Sequence, residues 1–191
     1  DEDFKESLLC QDGSLEPYKS FTLFPYLYCD GQFITREDVK LDHAIEKGCL
    51  PIPSVTWKHP KLVMNITAFG SGDSGKATTY IRYAVKNIGR DRLAGKLFVA
   101  MRPFEINPPW QWGGFTRIGK IERVGTRIHA NEYQIVPLTP PAAFGASSAR
   151  EGDILGVLEK GAVPERTNIQ DPDGLASGAI EYTYDLGPGE Q

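Results

Sequence analysis

The chain has no long apolar run and no excess of basic residues. No apolar stretch approaches the roughly 20 residues that a membrane-spanning helix needs, so we expect no membrane partner. Among its 191 residues, 21 Lys and Arg are set against 25 Asp and Glu, which leaves a formal net charge of −4. Because phosphate binding needs clustered Lys and Arg, this balance argues against a nucleic-acid partner.

Cysteine and histidine are also scarce. The three cysteines all lie in the first quarter of the chain, at Cys10, Cys29 and Cys49. The three histidines are scattered, at His43, His59 and His129. With no Cys-x-x-Cys pair and no clustered histidine, the sequence predicts no metal site and no cofactor. An odd count of three fits either one disulfide or three buried free thiols.

Length and composition indicate a single globular domain over residues 1–191. A chain of this length can bury a sizeable core. Its 40% hydrophobic and 24% charged residues are ordinary for such a domain. The chain begins with Asp1 rather than Met. We therefore expect a piece excised from a longer multidomain protein.

Alternating apolar and polar residues indicate β-strands along most of the chain. Leu62, Met64 and Ile66, for example, share one strand face. Strands with one polar face favour antiparallel sheets, so the sequence predicts a mainly β fold, an antiparallel β-sandwich. Residues 137–151 and 161–178 are expected to be long loops. The predicted strands cover residues 20–28, 33–34, 61–69, 77–88, 96–101, 115–124, 126–129, 133–138, 154–158 and 180–186.

One short helix is predicted in residues 36–47. Thr35 suits the N-cap position, and Asp38 three residues later completes a weak capping box. Gly48 suits the C-terminal end of the helix, where a left-handed backbone is common. The apolar residues between these signals fall roughly on one helical stripe.

Two segments resemble ligand-binding motifs, but the residues around them do not fit those motifs. Residues 70–76 nearly spell a phosphate-binding loop, but Ala77 stands where Ser or Thr must hold Mg²⁺, and a predicted strand follows instead of a helix. We predict a Gly-rich hairpin loop there. Residues 171–174 suggest part of a calcium loop, but the other oxygen ligands are missing. A plain turn is predicted at this position.

The most informative segment is residues 102–114, which follows the strand-like run 95–101. A double proline stops the strand, because proline lacks the backbone donor that a sheet needs. Exposed indole rings would stack on pyranose faces, and amides would bond sugar hydroxyls. Burial of the rings under a loop explains the same composition, since Trp is mostly buried. The candidate residues of the segment are Asn107, Trp110, Gln111 and Trp112.

Four segments, residues 30–35, 50–57, 80–87 and 102–111, resemble in their order a region of large bacterial coagulation factor 5/8 type (discoidin) domain proteins. The resemblance covers residues 29–186, and the Asn-Pro-Pro-Trp-Gln stretch is its most specific part. It implies a galactose-mutarotase-like supersandwich. In such proteins the sandwich precedes a helical toroid similar to glucoamylase and glycogen-debranching enzymes.

The resemblance implies a non-catalytic, carbohydrate-associated domain of a larger glycoside-processing protein, whose catalytic acids would lie in the toroid. The implied partners are carbohydrate and the other domains of the same polypeptide. The sandwich would bind sugar or dock on the toroid through one edge, since Trp suits interface anchors. The residues assigned to that edge are Asn107, Trp110, Gln111 and Trp112, with Trp57 as a second candidate.

The alternative is a stand-alone enzyme of the mutarotase or polysaccharide-lyase type on the same scaffold. Such an enzyme needs a general acid and a general base in one cleft. The candidates are His129, Glu105 and Glu132. His43 lies in the predicted helix and His59 beside a proline, so the sequence offers no second suitable histidine. A stand-alone carbohydrate-binding module remains a third hypothesis.

Overall fold

The computed structural model describes residues 7–17, 20–73, 76–104 and 115–191. Within these ranges, fifteen strands form three antiparallel sheets. The large sheet contains β1 (Leu8–Leu9), β2 (Leu15–Glu16), β3 (Thr22–Cys29), β4 (Gln32–Ile34), β9 (Leu93–Arg102), β13 (Ala143–Ser147) and β15 (Ser177–Leu186). The meander sheet contains β5 (Lys40–Ile45), β6 (Pro53–Lys58), β7 (Leu62–Ser71) and β8 (Thr78–Asn87). The small sheet contains β10 (Lys120–Val124), β11 (Arg127–Ala130), β12 (Tyr133–Ile135) and β14 (Asn168–Gln170).

The large sheet is built around its three longest strands. Its order is β1-β2-β3-β9-β15-β13, and β4 pairs with the second half of β3. Tyr26 of β3 lies opposite Phe98 of β9, and Phe98 lies opposite Glu181 of β15. The meander sheet has sequential order, whereas β14 joins the small sheet beside β10 from much later in the chain.

The main core joins all three sheets. Leu27 and Leu97 of the large sheet, Met64 of the meander sheet, and Ile121 and Ile128 of the small sheet belong to one buried cluster. Full burial of such a side chain contributes about 1.5–3 kcal/mol relative to exposure. Alternation along each strand supplies these residues, because every second side chain points to the same face.

The outer face of the large sheet, opposite the main core, is also covered. Tyr26 and Phe98 on this face pack in a second cluster with Ile154 and Leu158. Leu158 belongs to the helix α1 (Leu155–Leu158), which is the α-helix of the described residues. The two clusters bury both faces of the central strands, so β3 and β9 have almost no polar side.

The structure confirms a mainly β, antiparallel fold with one short helix, but the helix predicted in residues 36–47 is wrong. That segment forms a 3-10 turn (Arg36–Asp38), strand β5 and a second 3-10 turn (Glu46–Gly48). Thr35 and Asp38 do form a capping box, yet it caps a single turn. The helix lies instead at α1, where the sequence predicts a strand.

Several strands also fall where none was expected. β6 was not predicted, and β13 and β14 lie inside the two stretches expected to be loops, residues 137–151 and 161–178. The strand predicted from residue 115 begins at Lys120. Two isolated bridges, at Phe115 and Ile118, precede it. The remaining predicted strands are present, with ends shifted by a few residues.

The hairpin loop predicted at residues 70–76 and the turn predicted at residues 171–174 are both confirmed. β7 and β8 form a hairpin, and the segment after the loop is a strand rather than a helix. Residues 74–75 of that loop lie outside the described residues. At the second site Gly174, with a φ of +74°, donates its N–H to the Asp171 carbonyl at 3.1 Å, which is a turn.

The three cysteines are free thiols, so no disulfide forms among them. Cys10 and Cys29 are buried, but Cys49 is exposed and corrects the expectation of three buried thiols. Burial, followed by the nearby Glu16 carboxylate, raises the pKa of Cys10 to about 12. Within the described ranges, no group of three or more His, Cys, Asp or Glu side chains could hold a metal ion. No helix in these ranges is long and apolar enough to cross a membrane.

Candidate functional site

The site predicted from the sequence is flanked by two phenylalanines at the end of β9. Phe104 and Phe115 form an antiparallel bridge, and their ring centroids lie 6.1 Å apart. We call these two residues the loop stem. The residues between them, 105–114, lie outside the described residues, and they include Glu105, Asn107, Trp110, Gln111 and Trp112.

The loop stem is exposed. Phe104 retains 45% and Phe115 retains 46% of its accessible surface. Large aromatic rings bury much area when a partner covers them, and exposed apolar patches mark ligand grooves and interaction sites. The two rings therefore leave apolar surface exposed on either side of the segment in which the sequence predicts a binding edge.

Arg102, the last residue of β9, connects the loop stem to the large sheet. Its guanidinium carbon lies 5.0 Å from the centroid of the Phe104 ring and 5.9 Å from that of Phe24. Its Nη2 donates to Asp153 Oδ2 at 2.7 Å. Its buried Nε has no hydrogen-bond partner within the described ranges. A guanidinium over an aromatic face contributes about 0.5–2 kcal/mol, so these contacts hold the side chain in place.

Aromatic side chains continue from Arg102 across the outer face of the large sheet. Phe24 stacks on Tyr26 with centroids 6.4 Å apart, and Tyr26 stacks on Phe33 at 5.1 Å. We call Phe104, Phe24, Tyr26 and Phe33 the aromatic strip. Burial raises the pKa of Tyr26, with the Arg102 charge acting in the opposite direction. Phe24 and Phe33 are half-buried, and the Arg102 guanidinium lies over both Phe24 and Phe104.

Trp57 is a core residue in the structure. Its side chain is fully buried in β6, and its indole N–H donates to the Asp12 carbonyl at 2.7 Å. A buried Trp usually satisfies its N–H in this way. Its ring is not available for stacking on a sugar at the surface, so it is left out of the proposal below.

Two of the three candidates for acid–base chemistry, His129 and Glu132, lie within the described residues. His129 lies half-buried in β11, opposite Glu122 of β10 and Gln134 of β12. Glu132 is exposed in the turn after β11, and Glu105 lies outside the described residues. Within the part of the chain that is described, no hydrogen bond joins His129 to a carboxylate.

Sequence reasoning missed the aromatic strip and Arg102. The signal was present in β3, where Phe24, Tyr26 and Tyr28 alternate on one face. Their assembly with Phe33 and Arg102 depends on the pairing of β3 with β4 on one side and β9 on the other. That pairing cannot be read from the residues of any one strand.

Comparison of the sequence with models of known protein families gives no match, and comparison with curated proteins gives none either.

Proposed function

We propose that this chain is a non-catalytic, carbohydrate-associated β-sandwich domain that contacts sugar through the loop at the end of β9. The exposure of both loop-stem rings, Phe104 and Phe115, is the observation that supports it. Two indole rings and two amides lie in the sequence between them, in residues 105–114.

The chemistry of this surface suits a sugar ring. Pyranose rings present apolar C–H faces that pack on aromatic rings, while their hydroxyls bond to amides. Phe104 is backed by the Arg102 guanidinium, which is itself held by Asp153. A support of this kind keeps the contact surface in place before binding, which lowers the entropic cost of association.

The resemblance to the region preceding a helical toroid gives the proposal its wider form. In a longer polypeptide the same surface would lie against a catalytic domain or bind the polymer on which that domain acts. Fold-level similarity does not by itself establish such an activity, so the surface has to be tested directly.

The test is calorimetric titration of the chain with α- and β-linked glucans and common oligosaccharides. We expect saturable binding that Trp110→Ala, Trp112→Ala and Phe104→Ala each weaken, because each removes a stacking ring. Leu138→Ala is the matched control, since Leu138 is strongly exposed but lies away from the loop in sequence. Absence of heat with every sugar would refute sugar binding and favour a docking surface for another domain.

A further inference from the structure

The outer face of the meander sheet, opposite the main core, carries the side chains that alternate with the buried ones. The register of β5 to β8 arranges them in rows across the strands. The first row is Lys40, Lys58, Val63 and Lys86. The next rows are Asp42, Thr56, Asn65 and Ala84, then Ala44, Ser54, Thr67 and Arg82, then Phe69 and Tyr80, and finally Ser71 and Thr78.

This surface, which we call the cationic face, has a charge opposite to that of the whole chain. It carries Lys40, Lys58, Lys86 and Arg82 against one carboxylate, Asp42, in a chain of formal net charge −4. Asp42 accepts a hydrogen bond from Lys58. Within the described ranges, the other three cations form no ion pair.

The positive charge of this face is compensated only in part. Lys40 lies directly opposite Lys58, and like charges in such cross-strand pairs are destabilising. The Asp42 carboxylate compensates the charge of Lys58. An anion bound on the face would compensate Lys40, Lys86 and Arg82, which form no ion pair within the described ranges.

The middle of the face offers hydrogen-bonding groups in fixed positions. Asn65 Nδ2 donates to Thr56 Oγ1 at 3.1 Å, and Thr67 Oγ1 donates to Asn65 Oδ1 at 2.9 Å. All three side chains are half-buried. Mutual hydrogen bonds hold their orientations and leave further donor and acceptor capacity towards solvent.

An aromatic pair lies near the hairpin that joins β7 and β8. The rings of Phe69 and Tyr80 stack with centroids 5.1 Å apart and an interplanar angle of 13°. They retain 41% and 37% of their surface exposed. The pair adjoins the row of Arg82, so a stacking surface and a guanidinium are neighbours.

The face is long and open rather than enclosed. Successive rows lie about 6.7 Å apart along the strands, and neighbouring strands lie about 4.8 Å apart. Lys86 is therefore roughly 13 Å from Arg82 along β8. Cations spaced at this distance on an exposed sheet face suit an extended polymer that carries repeated negative charges.

We propose that the cationic face binds an anionic polysaccharide, with carboxylate or sulfate groups on Lys and Arg and sugar rings on Phe69 and Tyr80. Arg82 can hold a carboxylate through two parallel hydrogen bonds. Asn65 and Thr67 bond hydroxyls between the charged contacts. The inference deepens the proposed carbohydrate function, but it uses a different surface from the loop at the end of β9.

The test is titration of the chain with polygalacturonate, with neutral dextran and with single-stranded DNA of matched charge. We expect binding to polygalacturonate that weakens at high ionic strength, because exposed charges are screened. Arg82→Ala/Lys86→Ala should weaken it about tenfold, since two exposed charge contacts are removed. Phe69→Ala should weaken binding at both ionic strengths, because stacking is not screened.

The matched control is Arg127→Ala/Lys160→Ala, which removes the same charge from exposed positions outside the meander sheet. An equal loss in this control, or equally tight binding of the DNA, would overturn the proposal in favour of a general attraction to polyanions. Absence of polygalacturonate binding would also overturn the proposal. The lysines would then serve to prevent edge-to-edge pairing of β5 with another chain. Trp110→Ala/Trp112→Ala should retain polygalacturonate binding, so failure here is distinguishable from failure at the loop.

Discussion

Trp57 shows how one hydrogen bond separates a structural aromatic residue from a binding residue. The sequence places it among the candidate sugar contacts, but its N–H bonds to the Asp12 carbonyl inside the core. The hairpin turn between β1 and β2 provides that carbonyl, 45 residues earlier in the chain. A partner at such a separation leaves no local pattern, so the sequence could not show that Trp57 is buried in the core.

Asp171 provides a second case in which single contacts decide a side chain's properties. Its carboxylate is buried, and Oδ2 accepts a hydrogen bond from Ser148 Oγ at 2.6 Å. Oδ1 accepts one from the Asp173 N–H at 2.8 Å. The hydrogen bond from Ser148 is the largest cause that lowers the pKa of Asp171 below its ordinary value, and backbone N–H donors such as that of Asp173 lower it further. The carboxylate thus connects the turn after β14 to the segment after β13.

We predict that Ser148→Ala destabilises the protein more at neutral pH than in acid. The depressed folded-state pKa of Asp171 contributes stability above the unfolded value of about 3.9, and that stability is lost as the pH falls through the folded pKa. Loss of the Ser148 bond should cost about 1–3 kcal/mol at neutral pH and less at about pH 3. Urea unfolding at the two pH values measures the difference, with the exposed Thr126→Ala as control. An equal cost at both would show that the ionised form of Asp171 has no special stabilisation.

At the scale of elements, the segment 36–47 shows why a local pattern can predict the wrong element. Val39, Leu41 and Ile45 fit one helical stripe, but they are also spaced by two and four residues, as in a strand. Local signals therefore favour neither structure. The partner decides, because Leu41 lies opposite Trp57 of β6 and completes the meander sheet.

Long strands gave the strongest sequence signal. β7, β8, β9 and β15 each run for ten residues, so an error of a few residues at the ends does not hide them. The strand β13 is interrupted by Gly145 and ends at Ser147, and β14 has a single apolar residue, Ile169. They form because neighbours β15 and β10 offer free backbone groups, which is a property of the sheet and not of their own residues.

β13 illustrates the close approach that such a strand requires. Its Gly145 lies against the backbone of Pro164, and the next residue, Ala146, donates its N–H to the Arg166 carbonyl at 2.7 Å. A Cβ built on Gly145 would lie 1.8 Å from the Pro164 carbonyl oxygen. The missing side chain is therefore what allows the segment around Pro164 to cover β13.

We predict that Gly145→Ala destabilises the fold by about 1–3 kcal/mol or more, because backbone must move to admit the methyl group. Gly70→Ala in β7 is the matched control, since a Cβ there meets no atom within 4 Å. Thermal unfolding of the two variants measures the contrast. Equal unfolding temperatures of the two variants would mean that the segment around Pro164 moves without loss of stability and packs only loosely on β13.

The whole molecule has two candidate binding surfaces on different sheets, and one core joins those sheets. The loop stem lies at the end of β9 in the large sheet, and the cationic face lies on the meander sheet. The sequence predicted the first because its residues are contiguous between residues 102 and 114. It did not reveal the second, since Lys40 and Lys58 join Arg82 and Lys86 of β8 only through strand pairing.

One core cluster contains residues of all three sheets. We therefore expect a core mutation in one sheet to lower protection from hydrogen exchange in the other two as well. Ile121 of the small sheet is fully buried in the cluster that also contains Met64 and Leu27. Ile121→Ala should cost about 2–5 kcal/mol through lost burial and a cavity. If the core unfolds as one unit, the slowest-exchanging amides of β3 and β7 lose as much protection as those of β10.

Hydrogen–deuterium exchange, followed by mass spectrometry of peptides from each sheet, measures this coupling. Val124→Ala in the same strand is the control, because Val124 is exposed and its truncation should leave protection unchanged. Faster exchange confined to β10, β11, β12 and β14 would show that the small sheet opens independently. In that case the loop stem and the cationic face would share a scaffold of two sheets, and binding at either would stabilise only those two.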